Sequence, residues 1–274
     1  MEECLLKMLE SLNAVRASQK TINVYMYFVK RFIDFCGGRE PKLEDVIKFL
    51  NTFSDKSVYT QYTVSYALKY FFNVCPFVDP SLVPEPVRIR EVRAKVIILE
   101  EDIIEGLKRL PLRYAAMLGV TYEFGLRVSE LCLMRYGDIN LNDWTAYVRR
   151  VKGSVTSVLP IVTDEVKNVL YEYMSTYRPV SANMPLFPNR KGGVMNVSYA
   201  SQVMKRILTV IGYPNAHPHD IRHSRATNLL KAGVDPVTVA RILGHANLSS
   251  TLTYFHLIVD DIRKKLEEVK QKRI

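Results

Sequence analysis

The sequence predicts a mainly α protein of two domains, with one small β-sheet in the second. Apolar residues recur at three- and four-residue steps over most of the 274 positions, the spacing of helices packed on one side. Pro76, Pro80, Pro84 and Pro86 fall within eleven residues, a density that breaks regular structure and marks a boundary. A single pair of β-branched and aromatic runs, 144–151 and 155–161, flanks Lys152-Gly153-Ser154, which reads as a hairpin.

Residues 1–78 read as a bundle of four short helices. The first is carried by Leu5 to Leu12. Ser18 can cap a second, in which Ile22, Tyr25, Phe28, Val29, Phe32 and Ile33 form one stripe and Gly37-Gly38 the stop. A third follows Pro41 with Val46, Phe49 and Leu50 apolar. A fourth runs through Val58, Tyr62, Leu68 and Phe71 to Cys75. The aromatics read as core groups rather than base-stacking platforms. Residues 79–94 read as an extended, proline-rich linker that sets two domains apart. Residues 95–274 read as the second domain, with helices at 100–110, 112–122, one beginning near Gly125, then 164–177, 198–211, 221–232 and 236–243.

Charge points to the partner. Thirty-eight Lys and Arg against twenty-eight Asp and Glu give a net +10. Residues 1–88 are nearly balanced, eleven against ten, so a surplus of nine lies in residues 89–274. A positive field confined to one part of a chain suits a polyanion, and is equally the mark of a basic solvated surface. No apolar run reaches the roughly 20 residues of a membrane span, and the opening MEECLLKMLE is acidic where a signal peptide is basic. A cytoplasmic location is therefore expected. Cys4, Cys36, Cys75 and Cys132 lie far apart without a C-x-x-C pair, which argues against a zinc ribbon or disulfide framework and for four small buried hydrophobes.

The chemistry concentrates between His219 and His256. His219 and Arg222 stand three apart at a helix start, where both side chains meet an anion at the positive end. Leu243-Gly244-His245 follows, and Tyr254 comes nine residues after His245. A phenol is a weak nucleophile near its ordinary pKa of about 10 and needs a base or cations to activate it. Plainer readings exist for each group. His-x-x-Arg often only caps a helix, residues 234–245 have a helix-turn-helix pattern, and a lone tyrosine is most often buried. His217, His219 and His223 lack the further ligands of a zinc site.

Taken together, the order of these motifs resembles the tyrosine site-specific recombinases of the phage-integrase type. Gly125-Leu126-Arg127-Val128-Ser129-Glu130-Leu131 is similar to the family's first-arginine motif. Lys152-Gly153, with Pro160-Ile161 eight residues on, looks like its hairpin lysine. His219-Asp220-Ile221-Arg222-His223, Leu243-Gly244-His245 and Thr253-Tyr254-Phe255-His256 match its terminal boxes, and the unit beginning Ser18-x-x-Thr21 resembles its core-binding domain. Two positions depart from the pattern. Arg225 replaces an apolar residue, as local packing or an extra phosphate contact, and Val151 replaces a glycine before the lysine, so that Arg149 and Arg150 compete with Lys152 for its role.

The resemblance implies a C-shaped, two-domain DNA clamp, with a helical core-binding (SAM-like) domain and a mixed α/β catalytic domain. It implies Tyr254 as nucleophile, Arg127 and Arg222 as a transition-state clamp, and His245 as a further hydrogen-bond donor. Lys152 is the implied acid, His219 the implied base, and Glu130 the group that holds Arg127. No ATP or divalent metal is expected. The implied partners are a double-stranded recombination site and further copies of the chain. These form a tetramer on DNA, with exchange of a helix at about 260–274 striped by Ile258, Ile262, Leu266 and Val269. A chain that starts almost directly with the core-binding domain resembles the compact Xer group, which resolves chromosome dimers. Integrases or excisionases of mobile elements, a relaxing topoisomerase and a non-catalytic helix-turn-helix regulator are the alternatives.

Overall fold

The computed structural model describes residues 1–86, 96–151 and 156–244, and its chain divides into two compact units, Met1–Val92 and Arg93–Ile274.

The first unit holds helices α1 (Glu2–Ala14), α2 (Gln19–Phe35), α3 (Leu43–Asn51) and α4 (Val58–Val74). Ser18 and Ser57 cap α2 and α4, their hydroxyls accepting from the Thr21 and Thr60 amides at 3.1 and 3.2 Å, which satisfies donors that a helix start leaves open. Met8, Val29, Phe32, Val46, Val64, Leu68, Phe71 and Phe72 are buried. Phe32 meets Phe49 and Phe72 edge-on at 5.2 and 5.9 Å, the arrangement that ring quadrupoles favour. Phe32, Phe49, Phe53, Phe71 and Phe72 are buried in this core and Tyr25 and Tyr70 pack against it, whereas Tyr27 and Tyr59 are exposed, Tyr59 by 82%.

Two expectations are corrected here. Cys4 and Cys75 are not separate buried thiols but a disulfide, with Cα atoms 5.9 Å apart. Because α1 packs on α4, the start of one helix reaches the end of the other, a proximity hidden by a sequence separation of 71. Cys36 and Cys132 are buried free thiols, as expected. The described part of the proline-rich stretch is also packed rather than extended. Pro80–Leu82 form one 3-10 turn, capped where the Asp79 carboxylate accepts from the Ser81 amide at 2.8 Å. Val78 and Val83 are buried against the bundle and Lys69 pairs with Glu85. Proline's fixed φ suits a first helical position, and the two valines supply the anchors. Residues 87–94 of the expected linker lie outside the described residues.

The second unit contains α5 (Glu100–Arg109), α6 (Leu112–Glu123), α7 (Val128–Leu133), strands β1 (Ile139–Asn140), β2 (Thr145–Val148) and β3 (Ser157–Pro160), then α8 (Asp164–Thr176), α9 (Val197–Val210), α10 (Pro218–Lys231) and α11 (Pro236–Leu243). The sheet is antiparallel in the order β1-β2-β3, with Thr145 opposite Pro160 and Val148 opposite Ser157. Strand β1, two residues long, carries no periodicity to find. The expected hairpin apex at 152–154 lies outside the described residues. Helix α6 is the centre of the unit, buried from Ala115 to its last residue.

The disulfide closes a loop of roughly 70 residues, worth on the order of 4 kcal/mol of chain entropy. Reduction is expected to lower the stability of the first unit by up to about that amount and to leave the transition reported by Trp144, the single tryptophan, in place. Denaturant titration followed by circular dichroism and by tryptophan fluorescence, with and without reductant, checks this; coincident shifts of both probes would contradict it.

Candidate active site

The site grows from the turn after α6. The chain leaves the helix through Gly125 at φ +55, with the Leu126 amide bonded back to the Thr121 carbonyl at 2.9 Å. A side chain on Gly125 would be strained at this φ and would also collide with Leu243 of α11. Arg127 then stands at the N-cap of α7. Its amide donates to Glu130 Oε2 at 2.9 Å and its Nη1 to Glu130 Oε1 at 2.7 Å.

Glu130 is fully buried and has further donors. Arg150 Nη1 donates to its Oε2 at 2.9 Å, and the Val151 amide approaches its Oε1 at 3.4 Å. Both Glu130 and Arg150 have no side-chain exposure, whereas Arg127 keeps 30%. Burial alone pushes the Glu130 carboxyl up; the Arg127 amide and the two guanidinium groups outweigh it and hold the carboxyl below its ordinary value. Arg150 Nη2 also donates to the Phe124 carbonyl at 2.9 Å and to the Ile242 carbonyl at the end of α11. Gly244 closes α11 at φ +68, and a Cβ there would lie 2.8 Å from Arg150 Cγ.

Helix α10 supplies the second arginine. Pro218 takes its first position, and Asp220 accepts from the His217 amide at 2.7 Å. His219 is exposed in the first turn, its ring edge-to-face with His223 at 4.6 Å. Arg222 is buried, and its Nη1 donates to the Gly125 carbonyl at 2.7 Å. The arginine expected from each half of the sequence is thus tied to one turn, Arg222 through the carbonyl of Gly125 and Arg127 two residues on. Ser224 fixes α10 from behind, accepting from the Ile98 amide at 2.8 Å and donating to the Asp220 carbonyl at 2.7 Å. Lys152, His245 and Tyr254 lie outside the described residues.

Arg225 is internal. It is buried, pairs with Glu100 at 3.3 Å and Glu123 at 3.7 Å, and lies over the Tyr122 ring at 4.9 Å. Glu123 in turn accepts from the Val162 amide at 2.8 Å and the Thr163 hydroxyl at 2.6 Å, just beyond β3. Of the two readings of Arg225, local packing is the one observed. Arg149 pairs with Asp138 and covers Tyr147. The role of Arg150 was not foreseen from the sequence. A trace of it was present, since Ala146, Val148 and Arg150 share one strand face by period two and the first two are buried.

The sequence matches the family described as "Phage integrase family" over residues 98–260, and "Phage integrase, N-terminal SAM-like domain" over residues 4–76. The chain belongs to the phage integrase family. Within that family it is a tyrosine recombinase, an enzyme class that cleaves and rejoins DNA through a phosphotyrosine intermediate. It is 31% identical over 265 residues to the tyrosine recombinase XerA of Pyrococcus horikoshii, covering 92% of this chain and 88% of that one. Its fold is similar to the crystal structure of XerA recombinase, with TM-score 0.55, 25% identity and coverage of 97% and 98%. It is also similar to a lambda integrase dimer bound to a COC' core site, with TM-score 0.70, 15% identity and coverage of 91% and 96%. The second likeness shows the fold of the recombinase family.

Glu130 gives a stability prediction with a defined sign. A carboxyl held below its ordinary value contributes stability that is full above its unfolded pKa of about 4.3 and fades as pH falls through the folded value. Replacing Glu130 by Gln should cost about 3–5 kcal/mol at pH 7, since two guanidinium groups lose a buried partner. The variant's stability should also fall less steeply than the wild type's below pH 5. Urea unfolding at pH 3 to 7 measures both, and parallel curves would contradict the assignment.

Proposed function

We propose that this recombinase acts at a specific DNA site through Tyr254, and that its biological role is Xer-like resolution of chromosome dimers. The observation that carries the chemistry is the convergence of Arg127 and Arg222 on the Gly125 turn. In-line attack at phosphorus concentrates negative charge on the non-bridging oxygens, and paired guanidinium groups suit that charge. Tyr254 Oη forms a bond to phosphorus as the bond to the 5′ oxygen breaks. The tyrosine proton passes to His219, and Lys152 donates a proton to the 5′ leaving oxygen, the roles reversing on religation. His245 adds a hydrogen bond to the phosphoryl oxygens. Arg149 and Arg150 are each engaged by a carboxylate, which supports the reading of Lys152 as the acid.

The bond energy is kept in the phosphotyrosine, so no ATP is needed, and fixed cations take the place of a divalent metal. Double-stranded DNA is the partner, bound mainly through phosphate contacts to the basic second unit, with steep salt dependence. The Xer role rests on the whole-length similarity to relatives named XerA. On DNA the active assembly is a tetramer in which the helix at about 260–274 enters a neighbouring copy.

A nicked suicide duplex of the site selected by the protein tests this directly. Wild type should give a covalent protein–DNA band on a denaturing gel, with or without EDTA, and Tyr254→Phe none; no band from wild type, or a band from the variant, would overturn the reading. Removing residues 262–274 should lower the yield at least tenfold with site binding retained. Full cleavage by that truncated chain would count against assembly in trans.

A further inference from the structure

The charge balance at Glu130 does not stop at Arg127. A buried carboxylate bonded to Arg127 alone would make a neutral pair, and a phosphate arriving at Arg127 would meet little net charge. The second guanidinium changes this. Arg150 Nη1 lies 2.9 Å from Glu130 Oε2 with both side chains wholly buried, where charges are screened far less than at a surface. With two cations and one anion the cluster carries a net +1, and its only part with exposed surface is Arg127.

The same guanidinium spans three segments. Its Nη2 donates to the Phe124 carbonyl at 2.9 Å, in the turn that leads to Arg127, and to the Ile242 carbonyl at the end of α11. Gly244 leaves room for it, since any Cβ at that position would press on Arg150 Cγ and Nε at 2.8 Å. The end of α11, at Ile242 to Gly244, therefore lies along the flank of Arg150. Arginine is the residue suited to this place, with a planar fork of donors that stays charged when buried; a lysine can satisfy fewer of these acceptors.

We propose that Arg150 is a positioning residue for strand cleavage: it offsets the charge of Glu130, so that Arg127 presents a net positive charge to the scissile phosphate, and it fixes the end of α11 that leads into His245. This rests on the recombinase reading above. The test uses the full chain with Arg150→Met, Arg150→Lys and the double variant Glu130→Gln/Arg150→Met, comparing site binding, single-turnover cleavage of the suicide duplex at saturating protein, and melting temperature. Arg150→Met should bind the site within about threefold of wild type, because most affinity comes from phosphate contacts elsewhere, yet cleave about 100-fold more slowly, the scale of losing an electrostatic group at a transition state. Arg150→Lys should recover part of the rate. The double variant, which removes the uncompensated carboxylate, should cleave at least tenfold faster than Arg150→Met.

Wild-type cleavage by Arg150→Met, or a double variant no faster than the single one, would overturn the proposal. Absence of an adduct from wild type would instead overturn the recombinase reading. If Arg150→Met does not fold, the double variant and Arg150→Lys carry the test through inorganic phosphate. The Arg127 Nε–H resonance of wild type should shift on phosphate titration, with apparent affinity preserved in both variants; loss of that response in Arg150→Lys would overturn the charge argument.

Discussion

One buried carboxylate organises the catalytic unit. Glu130 receives the Arg127 amide and guanidinium, the Arg150 guanidinium and the Val151 amide. An ionised group this deep is costly unless it is paired and hydrogen-bonded, so each partner is constrained by the need to satisfy it. Those partners come from the N-cap of α7, in the turn after α6, and from the segment that follows β2. A single electrostatic requirement thereby sets where the first arginine stands and where the hairpin begins.

The second arginine depends on backbone rather than on charge. Arg222 of α10 donates to the Gly125 carbonyl, and Gly125, without a Cβ, lets Leu243 of α11 close on the same turn. Behind it, Ser224 and Asn228 bind α10 to the Ile98 backbone and to Tyr122, and Arg225 adds ion pairs to Glu100 and Glu123. Glu123 in turn holds the exit of β3. Two polar clusters, one at each end of the hairpin, thus attach it to the helices that carry the arginines. Close packing makes such arrangements discrete rather than adjustable, which is what a clamp for a transition state requires.

Much of this was legible from periodicity. The helix expected at 236–243 is observed at Pro236–Leu243, and that at 100–110 ends one residue earlier at Arg109. Helix α10 begins three residues before the expected 221, because Pro218 and the Asp220–His217 cap extend it, and this brings both His219 and Arg222 into its opening turns. Chain-distant facts were not legible. The Cys4–Cys75 bond, the burial of Val83 and the pairing of Arg150 with Glu130 are set by which helices and strands pack together. An arginine pair before Lys152 looks the same on paper whether it faces DNA or is buried; only the strand's inward register separated Arg150 from Arg149.

The central claim is that Glu130 holds the first arginine and, through Arg150, the end of α11 as one unit. Amide hydrogen exchange on Glu130→Gln, read on peptides covering residues 124–133, 145–151 and 236–244, tests it most directly. All three should lose protection together while α9 keeps its own. Loss confined to 124–133, with the end of α11 as protected as in wild type, would contradict the account.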